Sequence, residues 1–88
     1  MKLKYEFILS EVADKFVAVP IGDDAEKFDG LLKTNDIGAY ILNMLKNDVT
    51  EEDIVISMAK DYPDDTEEEI REVVSDFIAT LKESDLLV

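Results

Sequence analysis

The spacing of apolar residues changes along this chain, and that change constrains the fold more than any other feature. Up to about residue 34 they recur at every second position, and beyond it at every third or fourth. In "YEFIL", Tyr5, Phe7 and Leu9 alternate with Glu6 and Ile8, the period of a half-buried strand. "EVADK" reads as a polar connection. "FVAVPI" is a β-branched run in which Val17, Val19 and Ile21 share one face, with Pro20 confined to a strand end or an edge because it has no N–H to donate. After a second connection, "GDDAEKFD", the segment "GLLKT" reads as a third short strand. Three strands in so few residues form an antiparallel meander.

The helical part follows without a break. Asn35 is placed to cap a first helix, with Asp36 at the positive end of its dipole and Ile37, Tyr40, Ile41, Met44 and Leu45 at helical spacing. Thr50 caps a second, with Asp53 where a capping box carries Glu; Ile54, Val55, Met58, Ala59 and Tyr62 make its stripe, and Pro63 stops it. A third opens with a capping box of Thr66 and Glu69. Its stripe of Ile70, Val73, Val74, Phe77, Ile78 and Leu81 has the clearest amphipathic spacing in the chain. "SDLLV" is an apolar tail expected to fold back on the core. The order predicts one α+β domain over residues 1–88, a three-stranded antiparallel sheet followed by three helices, in a winged helix-turn-helix-like arrangement.

Within this pattern "DGLLKTNDIGAY" raises a question. Gly38 stands one turn inside the first helix, where glycine costs about 1 kcal/mol relative to alanine. A glycine there lets the helix start hard against the strand it follows.

Composition narrows the function classes. The chain has no cysteine and no histidine, so thiolate chemistry, disulfides, the commonest metal ligand and the commonest neutral-pH base are all absent. The serines Ser10, Ser57, Ser75 and Ser84 have no histidine to activate them. The carboxylate runs fall at helix starts and turns, where capping explains them. The acidic turn "DYPDDTEEE" lacks the glycine a calcium loop needs, and no phosphate-cradling glycine pattern occurs. These features predict a non-enzyme with no cofactor and no metal. An acyl carrier protein would need an Asp-Ser-Leu motif at a helix start, and none is present.

The net charge of −13 is unevenly spread: residues 1–33 hold five basic and seven acidic residues, and residues 34–88 hold four and fifteen. Such a surface opposes a nucleic-acid backbone. A winged-helix regulator that binds DNA is the alternative topology suggests, but the third helix sets Arg71 and Lys82 against Glu67, Glu68, Glu69, Glu72, Asp76 and Glu83. With no apolar run near the ~18 residues that span a bilayer and no signal-peptide core, a cytoplasmic protein without a membrane partner is expected.

A short sheet must end in edge strands, whose unpaired backbone groups can pair with another chain. A third strand at an edge, beside the apolar third helix, would form a groove where a peptide could add as a further strand.

"GLLKTNDIGAYILNML" resembles the strand–helix joint of the PqqD-like family, named for coenzyme PQQ synthesis protein D, through Asn35, Asp36, Gly38, Ala39 and Ile41. "TEEDIVISMAKDY" and "EEEIREVVSDFIATLKESDLLV" resemble its second and third helices, and "KYEFILSEVADKFVAVPIGDDAEKFDG" its opening strands. Thr34, Ile37 and Leu42 depart from the family's common apolar residue, threonine and tryptophan. The resemblance implies a winged-helix-like module that binds the leader of a ribosomally made precursor peptide and presents it to a modifying enzyme, often a radical S-adenosylmethionine enzyme. It implies a binding strand of Leu31, Leu32, Lys33 and Thr34, faced by Val73, Val74, Phe77, Ile78 and Leu81. The acidic helical side is the expected docking face for the enzyme.

Overall fold

The computed structural model describes residues 1–22 and 32–88. Strands β1 (Phe7–Val12), β2 (Lys15–Pro20) and β3 (Leu32–Thr34) form one antiparallel sheet in the order β1-β2-β3. Helices α1 (Asp36–Met44), α2 (Glu51–Asp61) and α3 (Glu67–Glu83) follow, so the α+β order read from the sequence holds among the described residues.

The register assigns the faces. Leu9 pairs with Ala18 and Ala18 with Leu32, so these three point to one side, and Ala18 is fully buried there. Ile8 pairs with Val19, and Val17 with Lys33, on the opposite side, where Ile8, Val12 and Val19 are exposed. The small Ala18 side chain lets the helical layer approach closely, and α1 packs on β2 and β3. Pro20 ends its strand, as its missing donor requires.

β1 is longer at its far end than the alternation suggests and begins later. Tyr5 precedes it, while Glu11 and Val12 extend it and Lys15 opens β2, which reduces the "EVADK" connection to Ala13 and Asp14. Ser10 and Glu11 are exposed strand residues, so their polarity masks the strand from a reading by hydropathy. Ala13 turns the chain with φ 57°, a left-handed conformation costing an L residue about 1 kcal/mol.

Each helix is capped by the residue that the sequence marks. Asn35 Oδ1 accepts from Gly38 N at 2.9 Å. Thr50 and Asp53 complete a reciprocal box, both bonds at 3.0 Å. The Thr66–Glu69 box is only half made: Thr66 Oγ1 accepts from Glu69 N at 3.1 Å, and no bond returns from the Glu69 side chain. The shorter aspartate closes its box, whereas the glutamate does not.

The core lies between the sheet and the helices. Ile41, Leu42 and Leu45 enter it from α1, Ile54, Val55 and Met58 from α2, and Ile70, Val74, Ile78 and Leu81 from α3. The tail does fold back. Leu3 and Leu87 form an antiparallel bridge, Lys4 N donates to Leu86 O at 2.8 Å, Val88 N to Lys2 O at 2.8 Å, and Leu86 is buried. No helix among the described residues is long and apolar enough to cross a membrane.

Candidate functional site

β2 is the central strand, so β3 has one ladder neighbour among the described strands and its outer edge faces away from the sheet. Thr34 ends β3, Asn35 caps α1, and Gly38 lies one turn into that helix. A Cβ built on Gly38 would overlap Thr34 Oγ1 and lie 2.9 Å from Thr34 Cβ and 3.0 Å from Phe77 Cε1. The glycine therefore permits a three-way approach of β3, α1 and α3, which carries the expected strand–helix contact one element further.

Beside this junction runs a cleft of about 410 Å³. Ile37, Val73 and Phe77 supply its apolar lining and Asn35, Asp76 and Thr80 its polar lining, with Gly38 also in its wall. A second cavity, about 150 Å³, shares Ile37 and Val73 with the first and continues to Met58 and Ile70, with Asp65 and Glu69 as its charged groups. A larger cleft of about 680 Å³ lies beside Lys2, Lys4 and Lys46; it shares no lining residue with either of these cavities, so it is separate from them.

The nine residues that the resemblance implies do not all reach the groove. Leu31 lies outside the described residues. Leu32 and Thr34 are half-buried on the inner side of β3, and Lys33 is exposed on the outer face of the sheet, opposite Val17. On α3, Val73 is 44% exposed and Phe77 half-buried, and both line the cleft. Val74, Ile78 and Leu81 are core residues, no more than 3% exposed, and a peptide laid on the surface cannot reach them. The stripe on α3 is wide enough to serve two surfaces, and its inner side, with these three residues, packs into the core cluster. Asn35, Ile37, Asp76 and Thr80 were not among the expected residues. Helical arithmetic on Val73 and Phe77 points to two of them, because Asp76 and Thr80 stand three residues from one or the other, on the same side of α3.

Ionic interactions elsewhere hold the helices together. Arg71 donates to both Glu52 oxygens at 2.6 and 2.8 Å and to Glu67 at 2.7 Å, tying α2 to α3. These bonds hold the guanidinium above its ordinary value and the Glu52 carboxyl below its own. Tyr40 OH donates to Asp61 Oδ2 at 2.5 Å and lies 2.5 Å from Ser57 Oγ, joining α1 to α2. Burial, then the bond to Asp61, raises the Tyr40 phenol above its usual value. Asp65, Glu69 and Asp76, around the groove, have no ion-pair partner among the described residues. No group of three or more carboxylates among those residues is arranged to hold a metal ion.

Among the described residues the arrangement is a strand edge without a ladder partner, an apolar cleft at the following strand–helix junction, and acidic groups along that cleft. Comparison with known proteins agrees with the fold. The structure described as "TbiB1 in Complex with the TbiA(beta) Leader Peptide" superposes with a TM-score of 0.73 at 18% identity, covering 99% of this chain and 94% of that one. Comparison with curated proteins gives no match. A protein family described as Coenzyme PQQ synthesis protein D (PqqD) matches residues 24–87. By that match, which spans most of its length and both walls of the groove, the chain belongs to the PqqD family.

Proposed function

We propose that this protein is a non-catalytic adaptor that binds the leader of a precursor peptide by strand addition to β3 and presents it to a modifying enzyme, of the radical S-adenosylmethionine type. The observation that carries the reading is a β3 whose outer edge has no ladder partner among the described strands, joined through the close Thr34–Gly38–Phe77 approach to an apolar cleft of α1 and α3, in a chain of the PqqD family. Further support comes from the fold it shares with TbiB1, which was solved with a leader peptide.

The energetics require both parts of the groove. A three-residue strand offers few backbone hydrogen bonds, each worth about 1 kcal/mol net. Micromolar binding needs about 8 kcal/mol. Burying an apolar side chain the size of leucine adds roughly 1.5–3 kcal/mol. An edge without a seat is therefore too weak, and two cavities that share Ile37 and Val73 offer room for two anchors. Held in this way, the leader raises the effective concentration of the core peptide at the enzyme, and the adaptor needs no chemistry of its own. DNA binding is the poorer reading, because the exposed side of α3 carries Glu68, Glu69, Glu72 and Asp76.

The test is an NMR titration of labelled protein with the leader of the precursor peptide encoded beside its gene. Shifts confined to residues 32–34 and 73–80 support the reading. Saturating leader with no shift there, while the same leader binds the neighbouring enzyme alone, overturns it.

A further inference from the structure

We infer, resting on the peptide-binding reading above, that the segment this groove accepts is both apolar and basic: it seats an apolar side chain among Ile37, Val73 and Phe77 and sets a lysine or arginine against Asp76. The charge of the groove is of one sign. Asp76 lines the larger cavity, Asp65 and Glu69 line the smaller, and neither lysine nor arginine lines either. Lys33, the cation on β3, projects from the outer face of the sheet, on the side away from Leu32 and Thr34.

Among the described residues these carboxylates also have no ion-pair partner. Arg71 is taken by Glu52 and Glu67, and Lys4 by Asp85 at 2.8 Å. Thr80, the hydroxyl closest in sequence on the Asp76 side of α3, donates to the Asp76 backbone carbonyl at 3.1 Å, so it is not bonded to the carboxylate. A peptide filling the cleft would displace water from beside Asp76. An acidic residue brought there meets like charge in a less polar setting, and a basic one gains a partner as the solvent leaves. Outside the groove, a net charge of −13 steers basic segments towards the protein over roughly a Debye length, ~10 Å at 0.1 M salt. The steering brings a basic segment to the whole surface; the apolar seat beside Asp76 decides where it stays.

The experiment uses three synthetic twelve-residue peptides with the same alternating leucines and with lysine, glutamine or glutamate at the intervening positions. Affinity is followed by fluorescence anisotropy and location by NMR shifts. The lysine peptide is expected to bind at least tenfold tighter than the glutamine peptide, with shifts at residues 32–34 and 73–80. Asp76→Asn is expected to remove most of that preference. Glu51→Gln, which makes the same charge change at the far end of α2, is expected to leave it. Equal loss in the two variants would assign the preference to bulk charge and overturn the inference. Glutamate or glutamine peptides binding as tightly at the same residues would overturn it too, while leaving the groove itself intact. If all three peptides fail to shift residues 32–34 and 73–80, the strand-addition reading falls along with the inference.

Discussion

Gly38 and Thr34 approach so closely that no side chain fits between them: a Cβ on the glycine would overlap Thr34 Oγ1 and stand 2.9 Å from Thr34 Cβ. Alanine in a helix interior ordinarily gains about 1 kcal/mol over glycine. Here that gain is outweighed, since the obstacle is the branched root of a side chain held in β3. Overpacking of this kind costs typically about 1–3 kcal/mol. Gly38→Ala is therefore expected to lower the urea midpoint, and Thr34→Ala, which removes Oγ1, to recover part of the loss in the double variant. Additive effects of the two changes would show that the contact is not the cause.

The Tyr40 phenol links α1 to α2 through Asp61 and Ser57. Burial and the bond to Asp61 keep it protonated above the usual value of 10.0. The unfolded chain ionises this tyrosine first, so its contribution to stability is complete below pH 10 and declines as the pH rises beyond that. In a near-ultraviolet absorbance titration, a tyrosine step should lie above the usual value, and Tyr40→Phe should remove it. A step there that survives in Tyr40→Phe would show that the Tyr40 phenol is not its source.

The bridge from Arg71 to Glu52 and Glu67 depends on pH in the opposite sense. Hydrogen bonding to Arg71 holds the Glu52 carboxyl below its usual 4.5. The stabilisation is then complete above pH 4.5 and is lost as the pH falls through the depressed value. Wild type and Arg71→Gln should differ in Tm at neutral pH and converge in acid. Because both partners are exposed, added salt should shrink the difference at pH 7. A difference that persists unchanged at pH 2 would mean that Arg71 acts through packing of its stem.

Much of this architecture was legible in the chain because local signals and global fold agree. Asn35, Thr50 and Thr66 cap the helices they announce, and Pro63 follows the end of α2. The strands were harder. Ser10 and Glu11 belong to β1 but face solvent, and Ala13 makes a turn without glycine, asparagine or aspartate at the left-handed position. The groove was half visible. A stripe at helical spacing says which side of α3 is apolar, but the same spacing holds for Val74 in the core and for Val73 at the surface. Only the positions of α2 and the sheet divide them, and that division is tertiary. Ile37 and Asp76 escaped because each reads locally as something else, a first-turn helix residue and a solvated acid.

Val73 and Ile78, both on α3, separate binding from stability. Ile78 is buried, and Ile78→Ala should cost about 2–5 kcal/mol, with any loss of peptide binding following the loss of fold. Val73 lines both cavities and is 44% exposed in the free protein. Val73→Thr keeps the β-branched shape and replaces one methyl by a hydroxyl that water satisfies until a peptide covers it. Its effect on stability should stay within about 0.5 kcal/mol, as for most surface changes. In the complex the methyl contact is gone and the hydroxyl is desolvated, a loss of about 1–2 kcal/mol, or roughly five- to thirtyfold in affinity. Urea unfolding checks the first half, and anisotropy with the lysine–leucine peptide checks the second. A Val73→Thr protein that is fully stable and binds that peptide as wild type does would place the peptide elsewhere on the molecule.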